Sequence, residues 1–428
     1  MSNPGTTKYR ELTNTTVADY LSGQSSVAPH LGPNASEWKV SEIGDGNLNL
    51  VFIVQSNQGT VIVKQALPYI RARGPSSPLP LSRAFFEYEA TTRHSERAPG
   101  TTPALYHFDK DQAIIVMEYL SPHIILRKGL VLGNQYSRLA ESLGQYLARI
   151  HFRGSDLSMD SASKKMDAAL FAGNHALCQI SEKRIFTEPY YAADLNRWSS
   201  PQLDDVVQCI RQDEPLKAAV NELKDKFMSN SQTLLHGDFH SGSVMVTDHD
   251  VRVIDPEFAF YGPMGFDVGA IIGNLLIAYC SQAGHADTND DRSEYSRWIL
   301  TVIAELWSTY EVEFKNLWLS ERTGELYPKN VFPQSNSKES LNSLSRYLTS
   351  ILADSFGFAG AKMIRRIIGV SHVEDMTTIE DPDLRAACES RALSIARTLV
   401  LKRNSLSNVQ EAIKIAEKSN SMSCEKSR

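Results

Sequence analysis

Two short acidic motifs lie in the middle of the chain, each at the end of an apolar, strand-like segment. The motif HGD occupies 236–238, and the motif DPE occupies 255–257, beginning 17 residues after Asp238. The end of a strand can aim a side chain into a cleft, so Asp238 could orient or deprotonate an attacking hydroxyl. Asp255 and Glu257 could hold Mg²⁺, which prefers carboxylate and phosphate oxygens. This division of roles is typical of phosphoryl transfer, although a single acid at a strand end is more often only a turn residue.

Two features upstream could contact phosphates. The segment GDGN at 44–47 lies between two strand-like segments, and the backbone N–H groups of such a turn can approach phosphates closely. Lys64 ends the next apolar segment, where its ammonium could offset phosphate charge and pair with Glu87 or Glu89 on the following helix. Taken singly, each feature is commonly a plain turn or an exposed charge. Their order along the chain, followed by an apolar strand and the two acidic motifs, is that of a kinase-like fold.

The elements that must position these residues fall into two zones of different hydrophobic periodicity. Strand-like alternation dominates before about residue 116, and helical spacing dominates after it. The predicted strands are 50–55, 60–65 and 113–120, and the predicted helices are 81–94, 138–153, 213–228, 293–314, 341–366 and 383–401. We therefore predict an α+β, bilobal, protein-kinase-like fold with a small β-rich N-terminal lobe and a large, mainly helical C-terminal lobe. The predicted boundaries are 1–117 for the nucleotide-binding lobe, 118–121 for a hinge and 122–428 for the catalytic and substrate-binding lobe.

Composition and the distribution of apolar residues are those of a globular protein and argue against nucleic-acid or membrane partners. The 428 residues are 42% hydrophobic and 22% charged, as in an ordinary globular protein, and the net charge is −6. A negative net charge argues against a nucleic-acid-binding protein, although a local basic patch would be compatible with it. The longest apolar run, 268–280, is shorter than the roughly 20 residues that cross a bilayer, so we predict a buried helix and no membrane partner.

Two features predict a cytoplasmic location. The N-terminal segment lacks the apolar core of a signal peptide. The cysteines form no CxxC pair, and their wide spacing predicts unpaired thiols rather than a disulfide framework or a structural zinc site, as expected in a reducing compartment. The five cysteines lie at positions 178, 209, 280, 388 and 424.

Longer sequence blocks narrow the assignment. HGDFH at 236–240 resembles the HGDxH motif of the aminoglycoside phosphotransferase and choline kinase superfamily. Within that superfamily, five blocks that span nearly the whole chain resemble the 5-methylthioribose kinases. The blocks are IGDGNLNL at 43–50, VKQALPYIR at 63–71, LLHGDFHSGSVMVT at 234–247, DPEFAFYGPMGFDVGAIIGNLLIAYC at 255–280 and GFAGAKMIRRIIGV at 357–370.

This resemblance implies ATP-dependent phosphorylation of S-methyl-5-thio-D-ribose at its 1-hydroxyl, within methionine salvage. It implies that Asp238 is the catalytic acid that contacts the acceptor hydroxyl, and that Asp255 and Glu257 hold Mg²⁺. It also implies a homodimer, because enzymes of this family are often dimeric.

The resemblance further implies a nucleotide site, whose adenine is received by backbone groups of the hinge, and a neighbouring sugar site. The implied nucleotide site consists of Asn47, Lys64, Glu118, Tyr119, Leu120, Asp255, Pro256 and Glu257. The implied sugar site consists of Trp198, Asp238, Arg365 and Arg366.

Ser243 departs from the broader superfamily, in which a metal-binding Asn stands five positions after the HGD aspartate. Methylthioribose kinases also have Ser there, so the change favours this subfamily over aminoglycoside or choline kinases. For Arg365 and Arg366, chemistry alone leaves a second interpretation, since a buried arginine is commonly paired with an acid such as Asp354 or Glu374.

Three alternative functions stay open at this point, of which a nucleic-acid-binding protein is disfavoured by the net charge of −6. The first is a related small-molecule kinase that acts on another sugar or on an amino alcohol. The second is a pseudokinase that binds nucleotide without catalysis, against which the joint presence of Lys64 and the three motif acids argues.

Overall fold

The computed structural model describes residues 9–43 and 48–422. Its N-terminal part is built on an antiparallel sheet with the strand order β1-β2-β3-β5-β4. The strands are β1 (Lys39–Glu42), β2 (Asn49–Gln55), β3 (Thr60–Ala66), β4 (Leu105–Asp109) and β5 (Ile114–Glu118). The helices of this part are α1 (Val17–Ser22), α2 (Ala28–Leu31) and α3 (Arg83–Arg97). The glycine-rich segment 44–47, and with it Asn47, lies outside the described residues.

Buried apolar side chains on one face of the sheet hold its centre together. Phe52 and Val54 on β2 pair with Val63 and Val61 on β3, and all four side chains are fully buried. They belong to an apolar cluster to which α1 and α2 also contribute. Because successive side chains of a strand point to opposite faces, the N-terminal helices cover one face of the sheet.

The predicted strands 50–55, 60–65 and 113–120 are confirmed as β2, β3 and β5, and the predicted helix 81–94 is confirmed as α3. Periodicity does not predict β1 and β4. Both are edge strands and neither fully buries a side chain, so their sequences show no alternation between apolar and polar residues.

The remainder of the described chain is mainly helical. Its helices are α4 (Leu126–Leu132), α5 (Leu139–Arg153), α6 (Ser161–Phe171), α7 (His175–Phe186), α8 (Asp204–Gln212), α9 (Glu214–Ser229), α10 (Gly265–Ser281), α11 (Ser293–Ser320), α12 (Lys338–Ile368), α13 (Glu374–Thr377), α14 (Pro382–Lys402) and α15 (Val409–Lys418). Its short strands are β6 (Ile124–Ile125), β7 (Thr233–Leu234), β8 (Val244–Val246), β9 (Val251–Val253) and β10 (Tyr261–Gly262). They pair in the orders β6-β8-β9 and β10-β7.

The predicted fold class is confirmed, since a small β-rich part precedes a much larger helical part. The large helical part has an apolar core distinct from the cluster under the sheet. The boundaries 1–117, 118–121 and 122–428, and the motion that a hinge implies, stay a prediction.

Helix α10 forms the centre of the helical core. All 17 of its residues are buried, and α11, α12 and α14 pack against it. The segment Gly265–Gly284 would be long and apolar enough to cross a membrane, but 94% of its most apolar window is buried inside the protein. The prediction of a buried helix for the apolar run 268–280 is confirmed.

The cysteines differ from the prediction at one position. Cys178, Cys280 and Cys388 are free thiols, whereas Cys209 is disulfide-bonded. The prediction that every cysteine is unpaired is therefore wrong, because spacing along the sequence does not limit which cysteines meet in a fold. The cytoplasmic location stays a prediction.

Glycines allow α10 and α12 to pack at short distance. A Cβ on Gly269 would lie 2.4 Å from the Ser355 carbonyl oxygen and 2.9 Å from the Ala359 nitrogen, both backbone atoms of α12. Gly265 and Gly273, one turn to either side, approach the α12 backbone in the same way. The glycine face of α10 therefore sets the distance between α10 and α12, the helix that carries Arg365 and Arg366.

Gly269→Ala should lower the free energy of unfolding by about 1–3 kcal/mol, because the added methyl group overpacks a contact with rigid backbone. Thermal unfolding followed by circular dichroism measures this effect. Gly23→Ala is the matched control, since a Cβ there would lie 3.6 Å from its nearest neighbour. A Gly269→Ala protein as stable as the wild type would contradict the close packing of α10 on α12.

Candidate active site

Lys64 connects the sheet to helix α3 and to the DPE motif. Its Nζ lies 2.7 Å from Glu87 Oε1 and 2.5 Å from Asp255 Oδ1, and its side chain is almost completely buried. Glu89, the alternative partner, instead pairs with Arg93 at 2.6 Å. The structure therefore decides for Glu87, because this carboxylate lies on the buried face of α3.

Mutual compensation keeps Lys64 and Asp255 charged. Burial by itself would lower the pKa of Lys64, but the charges of Asp255 and Glu87 more than offset it and raise this pKa. Partial loss of hydration would raise the pKa of Asp255, but the charge and hydrogen bond of Lys64 lower it below its usual value. Burial raises the pKa of Glu87 against the opposing charge of Lys64. At neutral pH the lysine is an ammonium and Asp255 is a carboxylate.

Glu257 is held by Asn49, which the sequence places next to the glycine-rich segment, and by Arg83, which sequence reasoning missed. Asn49 Nδ2 donates to Glu257 Oε2 at 3.3 Å, and Arg83 Nε lies 3.3 Å from the same oxygen. Arg83 is fully buried and also donates to the carbonyls of Leu67 and Leu48, at 2.6 and 2.9 Å. A basic residue on the apolar face of the predicted helix 81–94 was the available signal for Arg83.

The DPE motif has a donor set that fits Mg²⁺. Asp255 adopts a left-handed backbone conformation with φ of +64°, and its side chain is 47% exposed. The contacts of Glu257 use Oε2, and the Pro256 carbonyl accepts from the Ala259 N–H at 3.1 Å, which closes the turn. In the described ranges, no group of three His, Cys, Asp or Glu side chains could hold a metal. Two carboxylates suffice for Mg²⁺, which commonly completes its coordination with phosphates and water.

The HGD motif is fixed by a buried carboxylate of α10. Asp267 accepts the backbone N–H groups of His236 at 2.6 Å and Gly237 at 3.1 Å. The ring of His236 lies 2.8 Å from the Ile254 carbonyl through Nε2, which joins the HGD segment to the DPE segment. Gly237 has φ of +85°, and a Cβ there would lie 2.0 Å from the Phe258 carbonyl oxygen, so this position requires glycine.

Asp238 lies among cations. Lys362 Nζ lies 2.7 Å from its Oδ1, and Arg366 NH2 lies 3.9 Å from its Oδ2. Burial by itself would raise the pKa of Asp238, but Lys362, His240 and Arg366 hold it well below its usual value. The carboxylate is therefore ionised at neutral pH.

His240 faces Asp238 as a neutral ring. Burial lowers its pKa to about 3, although the nearby Asp238 opposes the shift. Its Nδ1 accepts from the Gly242 N–H at 3.0 Å, so Nε2 carries the proton, 3.3 Å from Asp238 Oδ2. Ser243 Oγ donates to the His240 carbonyl at 2.8 Å and accepts from the His240 N–H at 2.9 Å, so this serine stabilises the loop.

Arg365 and Arg366 lie near Asp238 with part of their hydrogen-bonding capacity unused. Arg366 NH1 donates to the Ser371 carbonyl at 3.0 Å. In the described part of the chain, Nε and NH1 of Arg365 and Nε and NH2 of Arg366 are buried without a hydrogen-bond partner. Asp354, a suggested partner, pairs with Lys226 at 2.5 Å instead. Buried N–H groups left open in this way are suited to an oxygen-rich ligand.

Trp198 contacts Asp204 and Arg211. Its Nε1 donates to Asp204 Oδ1 at 2.6 Å, and the Arg211 guanidinium lies 4.9 Å from its ring centroid. The preceding residue, Arg197, donates its N–H to the Ile368 carbonyl at 3.1 Å, near the end of α12. The loop thus adjoins the helix that carries the arginine pair.

The predicted hinge residues follow directly from the sheet. Glu118 pairs with Val61 at the end of β5, and its carboxylate accepts from the Ala104 N–H at 3.0 Å. Tyr119 is 37% exposed and Leu120 is buried. The segment lies beside β3, the strand that carries Lys64.

Comparison with known proteins assigns the family. Residues 39–298 match the phosphotransferase enzyme family. The chain is 45% identical to the methylthioribose kinase of Escherichia coli O45:K1 (strain S88 / ExPEC), over 96% of this chain and 98% of that protein. The chain belongs to the methylthioribose kinase family. Methylthioribose kinase 1 of Oryza sativa subsp. japonica is 43% identical, over 95% of this chain and 94% of that protein.

The resemblance predicted from the sequence blocks is therefore confirmed at the level of the methylthioribose kinase family. Among solved structures, this family member is similar to a glucosamine kinase in complex with glucosamine, ADP and inorganic phosphate. The identity is 16% and the TM-score 0.44, over 81% of this chain and 85% of that chain.

Asp267→Asn should loosen the HGD segment, because the amide oxygen can replace only one of the two carboxylate oxygens that accept backbone N–H groups. We expect a loss of about 1–3 kcal/mol in the free energy of unfolding and faster hydrogen exchange over 235–240. Thermal unfolding and hydrogen exchange measured by mass spectrometry test both effects. Asp225→Asn, an exposed acid on α9, is the control. Unchanged exchange in Asp267→Asn would show that Asp267 does not hold this segment.

Proposed function

We propose that this chain transfers the γ-phosphoryl group of ATP to the 1-hydroxyl of S-methyl-5-thio-D-ribose, yielding ADP and S-methyl-5-thio-α-D-ribose 1-phosphate. The observation that carries the proposal is the contact between His236 and Ile254. It joins the segment that presents an ionised Asp238 to the segment that presents Asp255 and Glu257. Identity of 45% to a methylthioribose kinase supports the choice of sugar. Removal of this sugar by phosphorylation is a step of methionine salvage.

On the acceptor side, the ionised Asp238 accepts a hydrogen bond from the 1-hydroxyl and orients its oxygen towards the γ-phosphorus. Because the transition state of phosphoryl transfer is loose, the oxygen needs positioning more than early deprotonation. Asp238 then takes the proton late, as the new P–O bond forms.

On the nucleotide side, Lys64 offsets the charge of the ATP phosphates while Glu87 keeps its ammonium in place. Asn47 belongs to the glycine-rich segment that would approach the phosphates. Backbone groups of the hinge segment 118–120 would receive adenine.

The DPE motif supplies the metal site. Asp255 and Glu257 would hold Mg²⁺, with Pro256 between them shaping the turn. When bound, the cation would neutralise the charge that develops on the phosphate oxygens. Arg83 and Asn49 keep Glu257 oriented for this role.

The sugar site is formed by α12 and the loop beside it. The open N–H groups of Arg365 and Arg366 would donate to sugar oxygens and to the phosphoryl group in transfer, since a planar guanidinium suits such ligands. Trp198, on the loop bonded to the end of α12, would adjoin the apolar methylthio end of the substrate.

Asp238→Asn should lower kcat by about 10²–10⁴-fold, the usual contribution of a general base, while ATP affinity changes little. The measurement is coupled ADP release with Mg·ATP and, in parallel, methylthioribose, ribose, choline and an aminoglycoside. Asp250→Asn is the control, because this acid lies on the β8–β9 turn and binds Arg252.

The outcomes of this assay separate the candidate functions. ADP release that depends on methylthioribose, and is lost in Asp238→Asn, supports the proposed reaction. Activity on choline or an aminoglycoside but not on methylthioribose would favour a related small-molecule kinase. ATP binding without turnover of any acceptor would favour a pseudokinase.

Arg365→Ala should lower kcat/KM for the sugar about 10–100-fold, because a hydrogen bond from a charged group contributes about 1.5–3 kcal/mol. The KM for ATP should stay near the wild-type value. Steady-state kinetics with each substrate varied in turn measures both constants. Arg346→Ala, an exposed arginine earlier on α12, is the control. A selective loss of ATP affinity would move Arg365 to the nucleotide site.

A further inference from the structure

Helix α12 directs three cations towards one carboxylate. Lys362, Arg365 and Arg366 follow the spacing i, i+3 and i+4, which places their side chains on the same face of a helix. Lys362 makes the closest contact, with its Nζ 2.7 Å from Asp238 Oδ1 and its side chain 3% exposed. Its ammonium also lies 4.6 Å from the Phe266 ring centroid.

A buried lysine of this kind is a costly way to stabilise a fold. The loss of hydration commonly cancels the attraction within a buried ion pair, and apolar residues of similar volume often serve stability as well. The Asp238 side chain is 22% exposed, so the pair lies at the edge of the core rather than inside it. The contact of Lys362 with Asp238, the carboxylate of the HGD motif, points to a role in the reaction.

We propose that Lys362 is a positioning residue of the phosphoryl-transfer site, which fixes the orientation of the Asp238 carboxylate towards the acceptor hydroxyl and supplies the positive charge nearest to it. A carboxylate offers about four lone-pair positions. Lys362 donates to Oδ1 at 2.7 Å, and Nε2 of the neutral His240 lies 3.3 Å from Oδ2. The positions that face outwards are left for the acceptor. This inference rests on the proposed function.

The charges around Asp238 set the expected effect of pH. Lys362, Arg365 and Arg366 face it from α12, His240 faces it from its own loop, and Arg127 on α4 lies beyond His240. With the lysine charge removed, the closest cation would be Arg366, at 3.9 Å. The pKa of Asp238 would then rise. Because the ionised form is the active one, activity would be lost at a higher pH as the solution is acidified.

The test compares Lys362→Met and Lys362→Arg with the wild type in the ADP-release assay across pH. We expect Lys362→Met to lower kcat about 100-fold, the loss typical of a misplaced catalytic group, with the KM for ATP nearly unchanged. We expect the acid limb of kcat/KM for the sugar to move up by about one pH unit or more. Lys362→Arg keeps the charge, so its acid limb should stay near that of the wild type.

Lys226→Met is the matched control. Lys226 pairs at 2.5 Å with Asp354, a buried carboxylate of α12 that lies eight residues before Lys362. That is about 12 Å along the helix axis. This variant loses a lysine–aspartate pair of the same helix outside the site, so its kcat and pH profile should match the wild type. If Lys362→Met does not fold, Lys362→Gln replaces it in the same comparison.

Three results would overturn the inference: a folded Lys362→Met protein with wild-type kcat, an unmoved acid limb, or a Lys362→Arg profile identical to that of Lys362→Met. The proposed function is tested separately with the wild-type protein. It fails if methylthioribose elicits no ADP release. In that case the variants are compared in ATP hydrolysis without acceptor, in which water replaces the sugar hydroxyl. Equal hydrolysis rates in the wild type and Lys362→Met would then overturn the inference.

Discussion

The acceptor side of the site depends on the buried carboxylate of Asp267, which accepts the backbone N–H groups of His236 and Gly237. Movement of this segment would leave buried carboxylate oxygens and amide groups without partners in a medium of low dielectric, so these hydrogen bonds favour one position of the segment. Asp238 is the next residue, and its place therefore follows from that of α10. The same helix packs on α12 through glycines that meet the α12 backbone. Two closely packed helices thus place both the carboxylate and the cations that surround it.

The two halves of the site carry opposite electrostatic patterns. On the nucleotide side one cation, Lys64, lies between the carboxylates of Glu87 and Asp255. On the acceptor side one carboxylate, Asp238, lies among the cations of α12. Buried charge of one sign is costly unless it is compensated. The first half is therefore suited to a divalent cation and the second to a phosphoryl group in transfer, and such preorganised charges contribute most where water is excluded.

Much of the fold and part of the site could be predicted from local patterns. Alternation of buried and exposed positions predicts β2 and β3, and helical spacing predicts α3. The same spacing does not choose between Glu87 and Glu89, because the choice depends on which face of α3 meets the sheet. Periodicity does not predict the edge strands β1 and β4, because neither fully buries a side chain. The role of the site residues stays a prediction, which rests on motif and family.

The sequence by itself determined the order of the motifs, the fold class and the family, because these depend on residue type and on spacing over a few turns or strands. Only the tertiary structure decided which distant side chains meet. Lys362 reaches Asp238 across 124 positions, and Asn49 reaches Glu257 across 208. Such contacts arise where packed elements bury charged groups that require partners, and spacing along the chain carries no information about that meeting.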